Sequence, residues 1–152
     1  MGLYMPKEGQ LLVLDTYLTA FPNFQVALLS QAIAAYTIDY SSVWSAVSAA
    51  EANFSGYMRF ALGTPTAVWN GTGYYVQWNW PTSAVFTYND GGSPGTPNTI
   101  DGWALIDKHN AKIIAIEDIT PSVTMQTDGD TINVGVQINS MENLASSPDP
   151  AS

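Results

Sequence analysis

Strict alternation of apolar and polar positions is clearest near the end of the chain. Ile132, Val134, Val136 and Ile138 alternate with Thr131, Asn133, Gly135, Gln137 and Asn139, the pattern of a sheet with one wet face. A turn at Asp128-Gly129-Asp130 is expected to join this strand to SVTMQT as a hairpin, and IDGWALID and AKIIAIEDI form another around Lys108-His109-Asn110. Further upstream, TAVWN and YYVQWNW flank Asn70-Gly71-Thr72-Gly73, and Asn-Gly is the strongest short hairpin signal. Period two puts Tyr74, Val76, Trp78 and Trp80 on one face, the expected core face, and Tyr75, Gln77 and Asn79 on the other. Pro81 interrupts pairing, SAVFTY follows as the next strand, and the loop Asn89 to Thr99 is expected to be exposed. The stretch from Asn53 to Asp90 therefore reads as an aromatic-rich meander.

The front of the chain has a different period. Leu11, Leu14 and Leu18 have helical spacing within Glu8 to Thr19, and Pro22 ends that helix. FQVALLS, from Phe24 to Ser30, reads as a buried strand. A second helix is expected over VWSAVSAAEA, capped by Ser41 or Ser42, with Val43, Val47 and Ala50 on one face and Trp44 beside them. YMRFAL then resumes extended structure with Tyr57, Arg59 and Ala61 on one side and Met58, Phe60 and Leu62 on the other. These elements predict a mainly β chain, an antiparallel β-sandwich, jelly-roll-like or barrel-like, of about seven or eight strands with one or two short N-terminal helices. The expected division is an arm over 1–7, one domain over 8–140 and a flexible tail over 141–152.

Composition narrows the class of partner. Charged residues make up 11% of the chain, against about 25% in a typical globular domain. Neutral polar and leftover apolar groups must cover the surface. The formal net charge of −9 disfavours nucleic acid and anionic membrane as partners. A weakly charged, aromatic-rich chain fits a surface partly covered in an assembly, as well as an ordinary monomer with Thr/Asn-rich strands. No signal peptide is expected in MGLYMPKEGQLLVLDTYLTAF, and LLVL and VALL fall far short of the roughly 20 apolar residues a spanning helix needs.

Candidate chemistry is sparse. The chain has no cysteine, so thiolate nucleophiles and thiolate zinc sites are excluded. His109, the single histidine, sits in an expected turn where Asp107 points away. Asp128 and Asp130 have the spacing that opens an EF-hand loop, but the remaining oxygen ligands and the bidentate Glu are missing. Glu117 and Asp118 are adjacent on a strand and project to opposite faces, which argues against a glycosidase dyad. No catalytic, cofactor-binding or metal-binding residue is assigned. The aromatics are the serious candidates: Tyr75, with Trp69 or Trp103 nearby in the sheet, would make a sugar-stacking platform or a protein contact, with core packing as the competing role.

The order of features from Phe24 to Ser140 resembles a group of small tailed-bacteriophage virion proteins. The correspondence runs from a strand near LLS through a helix closing in EANFSGY, a Trp strand at AVWN, GYYVQWNW and the Phe strand VFTY. It continues through IDGWALIDKHNAKIIAIEDI to a strand pair around the DGD turn. The resemblance implies a β-sandwich on the virion, as a capsid decoration or cement protein or in the tail or fibre, with no catalytic residues to carry over. The partner it implies is the major capsid protein, with the chain itself a homo-oligomer. Glu8, Asp15 and Asp39 are then candidates to meet basic capsid residues, and a carbohydrate- or receptor-binding module of a tail or fibre is the alternative.

Overall fold

The computed structural model describes residues 24–36, 44–72, 75–93, 95–107 and 112–139. The expected arm, the helix over Glu8 to Thr19, the turn carrying His109, and the tail lie outside the described residues. Nine strands occur among the described residues: β1 (Phe24–Leu29), β2 (Phe60–Ala61), β3 (Thr66–Asn70), β4 (Tyr75–Asn79), β5 (Ala84–Thr87), β6 (Asn98–Asp107), β7 (Lys112–Met125), β8 (Thr131–Val134) and β9 (Gln137–Asn139). Every pairing between them is antiparallel. The chain is mainly β and divides into two compact units.

The larger unit spans residues 24–62 and 84–134 among those described. Its four-stranded sheet has the order β2-β1-β6-β7. The two central strands are the two continuous apolar runs. Val26 to Leu29 of β1 and Trp103 to Ile106 of β6 are all buried, because a central strand covered on both faces has no wet side to alternate with. A second sheet pairs β5 with β8, Phe86 opposite Ile132 and Ala84 opposite Val134.

Three expectations are corrected by these pairings. SVTM is the far end of β7 and pairs back onto the start of β6, Ile100 with Val123, so it forms no hairpin with TINV. The intervening turn is instead docked on Tyr88, whose N–H donates to the Asp130 carbonyl at 2.9 Å and whose carbonyl accepts from the Gly129 N–H at 3.2 Å. The strand leaving the turn therefore meets β5. For the same reason the aromatic stretch is no continuous meander, since β4 pairs with β9 and β5 with β8.

The second predicted helix is the third correction. Two 3₁₀ turns, Trp44–Ala46 and Ser48–Ala50, stand in its place, joined at Val47 with φ −123° and ψ −8°. Trp44, Val47 and Ala50 recur every three residues, which suits a 3₁₀ turn as well as one face of an α-helix. The end of β1 decides between them: Ser30 donates to the Ala50 carbonyl at 2.8 Å and Ala52 to the Leu28 carbonyl at 2.9 Å, drawing the segment out into extended pairing. Trp44 and Val47 then pack with Ala27, Leu29, Ala104 and Ile106.

The smaller unit contains residues 63–83 and 135–139 among those described. Its sheet has the order β3-β4-β9, and the expected pairing of TAVWN with the strand that follows is found, in the register Thr66 to Asn79 and Asn70 to Tyr75, with Asn70 inside the ladder. Trp78 and Trp80 are buried, and the alternation of β8 and β9 is kept across Gly135 and Val136 although the two strands enter different sheets.

Candidate interaction surfaces

The sheet registers separate the aromatics expected to act together. Trp69 lies opposite Val76 and Ala67 opposite Trp78, so Trp69 belongs to the Trp78 face and not to that of Tyr75. Trp103 is in β6 of the other unit, opposite Leu28 and Glu117, and only 8% exposed. Trp69 thus stands one position off the Asn70–Tyr75 pair, and Trp103 belongs to a different sheet. The side chain of Tyr75, and Glu8, Asp15 and Asp39 entirely, lie outside the described residues.

A groove in the larger unit brings together residues that the sequence reading did not single out. It is lined by Gly56, Tyr57, Arg59 and Phe60 on one side and Phe86 and Thr87 on the other, with a volume of about 120 Å³. A groove of that size holds several waters, or one side chain of a partner. Met58 and Val85 stand on its rims, 78% and 47% exposed. Its floor is aromatic: the Tyr57 and Phe86 rings stack with centroids 6.0 Å apart, and Phe60 meets Phe86 edge-on at 6.4 Å.

A polar network holds the Met58 backbone from behind. The Arg59 guanidinium donates from Nε to Glu51 Oε1 at 2.7 Å and from Nη2 to Oε2 at 2.8 Å, a two-pronged pair. The Tyr57 hydroxyl donates to the same Oε1 at 2.9 Å and accepts from the Leu28 N–H at 3.2 Å. Arg59 also lies 4.9 Å from the centroid of the Trp44 ring. Burial, and then the Glu51 charge, push the Tyr57 hydroxyl well above the ordinary tyrosine range. With Tyr57 and Arg59 both drawn to Glu51, period two turns Met58 outward. Arg59, one of four basic residues in the chain and the only one amid aromatics, was the signal available in the sequence.

The acidic candidates serve turns and strand ends. Asp130 accepts from the N–H groups of Gln126 and Thr127 at 3.0 and 2.8 Å, which hold its carboxyl below the usual range, and Asp128 accepts from the Asp90 N–H at 2.8 Å. Glu117 lies opposite Trp103 and Asp118 opposite Gly102, on opposite faces as the alternation requires, and Asp118 accepts from the Ile33 N–H at 2.7 Å. Among the described residues, no three His, Asp or Glu side chains are grouped to hold a metal.

The outer face of the β3-β4-β9 sheet has a distinct chemistry. Val68, Gln77 and Asn139 form one row across its strands, and Thr66, Asn79 and Gln137 the next. These six positions carry no charge, and the Gln137 amide donates to Asn139 Oδ1 at 2.9 Å. Amides both donate and accept, so such rows suit hydroxyl-rich ligands.

No family model, curated protein or solved structure matches this chain. Among the described residues, no helix is long and apolar enough to cross a membrane.

Proposed function

We propose that this protein is a non-enzymatic structural component of a tailed-bacteriophage particle, a β-sandwich that decorates the capsid and cements its lattice by binding the major capsid protein. The observation that carries this reading is the groove rimmed by exposed Met58 and Val85 on an aromatic floor. An exposed methionine beside a preformed slot of mixed polar and aromatic lining suits an anchor side chain from a protein partner. Burying Met58 and Val85 contributes about 1.5–3 kcal/mol each at most, so a lattice of many copies supplies the remaining avidity. The chain-order resemblance to small phage virion proteins supplies the partner class and the place on the virion. Glu8, Asp15 and Asp39 are assigned to basic residues of that partner. Co-sedimentation of the purified protein with empty expanded capsids tests the reading, and labelling confined to the tail refutes it.

A second reading is a carbohydrate- or receptor-binding module of a tail or fibre. The uncharged rows Val68, Gln77, Asn139 and Thr66, Asn79, Gln137 favour it. Glycan binding lost on Gln77→Ala, with the fold intact, would select this reading over the capsid one.

A further inference from the structure

The four-stranded sheet ends on β7, and among the described residues no strand pairs with its outer edge. An edge of this length presents a row of backbone donors and acceptors to any chain that can align with it. Its first six residues, Lys112 to Glu117, read KIIAIE, with Ile113 to Ile116 only partly buried and both charged ends exposed.

A bulge inside this segment decides what can pair with it. Leu105 lies opposite Ala115 and Ile106 opposite Ile113, so Ile114 is an extra residue in β7. The extra residue resets the alternation. Lys112, Ala115 and Glu117 lie opposite Asp107, Leu105 and Trp103 on one face of β6, while Ile113 and Ile116 lie opposite Ile106 and Ala104 on the other. Lys112 and Glu117, five apart in sequence, thus share a face. Neither is in an ion pair among the described residues, where Arg59 pairs with Glu51.

We propose that β7 pairs antiparallel with β7 of a second copy about a two-fold axis through Ala115, joining two four-stranded sheets into one of eight. A two-fold perpendicular to a sheet keeps each side chain on its face, so directly opposite residues must come from the same face. The bulge meets that condition: Lys112 meets Glu117 of the second copy twice, Ile113 meets Ile116 twice, and Ala115 meets its own equivalent. Without the bulge, Lys112 and Glu117 would lie on opposite faces and no symmetric pairing would join them. A bulge and a lone lysine commonly protect an edge. Here the same two features make the edge self-complementary in charge and in shape. Pairing ends before Pro121, which has no N–H to give. The inference deepens the homo-oligomer part of the proposed function and does not depend on the capsid.

The full chain is tested by sedimentation equilibrium from micromolar to millimolar concentration. The wild type is expected to dimerise. Lys112→Glu, which sets like charges opposite each other twice, should weaken the dimer by at least about tenfold, and Lys112→Glu with Glu117→Lys should restore it. Ala115→Cys, in a chain with no other cysteine, should give an intermolecular disulfide on mild oxidation, since directly opposite residues stand about 4.5–5.5 Å apart. A monomer throughout, a dimer indifferent to Lys112→Glu, or an Ala115→Cys chain that stays reduced overturns the inference. Such a failure with capsid binding intact leaves the decoration reading standing, and the reverse result leaves the β7 dimer standing.

Discussion

Arg59 and Glu51 meet through two parallel hydrogen bonds of 2.7 and 2.8 Å, and the shared carboxylate also holds the Tyr57 hydroxyl. Removing that carboxylate leaves two partly buried donors without their acceptor. Glu51→Ala is expected to destabilise the protein by about 1.5–3 kcal/mol, the range for hydrogen bonds to a charged group. Arg59→Lys, which keeps the charge and loses the fork, should cost less. Urea denaturation of the two variants measures both, and equal costs would contradict the role given to the fork.

Stability should fall at both ends of the pH scale for separate reasons. Asp130 has its folded pKa lowered by two backbone N–H groups, so its contribution is present above the unfolded carboxyl pKa of about 4 and is lost as pH falls through the folded value. Tyr57 has its pKa raised, so its contribution is present below about pH 10 and is lost as pH rises further. Asp130→Asn should flatten the acid limb of the urea midpoint plotted against pH, and Tyr57→Phe the alkaline limb. A swap of these effects would contradict the assignments.

Much of this architecture is legible from local pattern. FQVALL and WALI announce central strands because both faces are apolar, and the Asn-Gly signal announces the β3-β4 hairpin, although Asn70 pairs with Tyr75 inside the ladder rather than sitting in a two-residue turn. Neighbour choice is less legible. Alternation states which face of a strand is wet, not which strand lies beside it, so Ile132 and Ile138 carry one pattern into two sheets. The partner of β8 is set by Tyr88, more than 40 residues away in sequence, through hydrogen bonds to the Gly129-Asp130 turn. The Trp44 to Ala50 segment misleads because a three-residue repeat fits two kinds of helix. Met58 is invisible as a surface group in the sequence, since only its burial distinguishes it from a core methionine.

The loop after β5 is clasped rather than free. Ser55 Oγ accepts from the Thr96 N–H at 2.8 Å, the Ser55 N–H donates to the Thr96 carbonyl, and the Ser55 carbonyl accepts from the Asn89 N–H. Gly95 fits under this clasp without a side chain, and a methyl there would overlap Ser55 Oγ and the Tyr88 hydroxyl. Gly95→Ala should cost about 1–3 kcal/mol, while Gly63→Ala, with nothing among the described residues within 4 Å of the new methyl, should be near neutral. Thermal melts of both variants check the contrast.

Two buried tryptophans in the β3-β4-β9 unit differ in one atom's fate. Trp80 Nε1 donates to the Gly63 carbonyl at 2.6 Å, whereas Trp78 Nε1 is buried with no hydrogen-bond partner among the described residues. Replacement by Phe removes a satisfied donor in the first case and an unsatisfied one in the second. Trp78→Phe should therefore cost less than Trp80→Phe by about 1–3 kcal/mol, a difference that chemical denaturation resolves.

The claim that Met58 and Val85 form the contact surface is tested most directly by the affinity of Met58→Asp/Val85→Asp for empty expanded capsids, beside the wild type. Both residues are exposed, so the variant should keep the wild-type fold by circular dichroism. The predicted result is a loss of capsid binding of at least about a hundredfold, since two apolar anchors of about 1.5 kcal/mol each are replaced by charges that resist burial. Wild-type affinity in the folded variant would contradict the account.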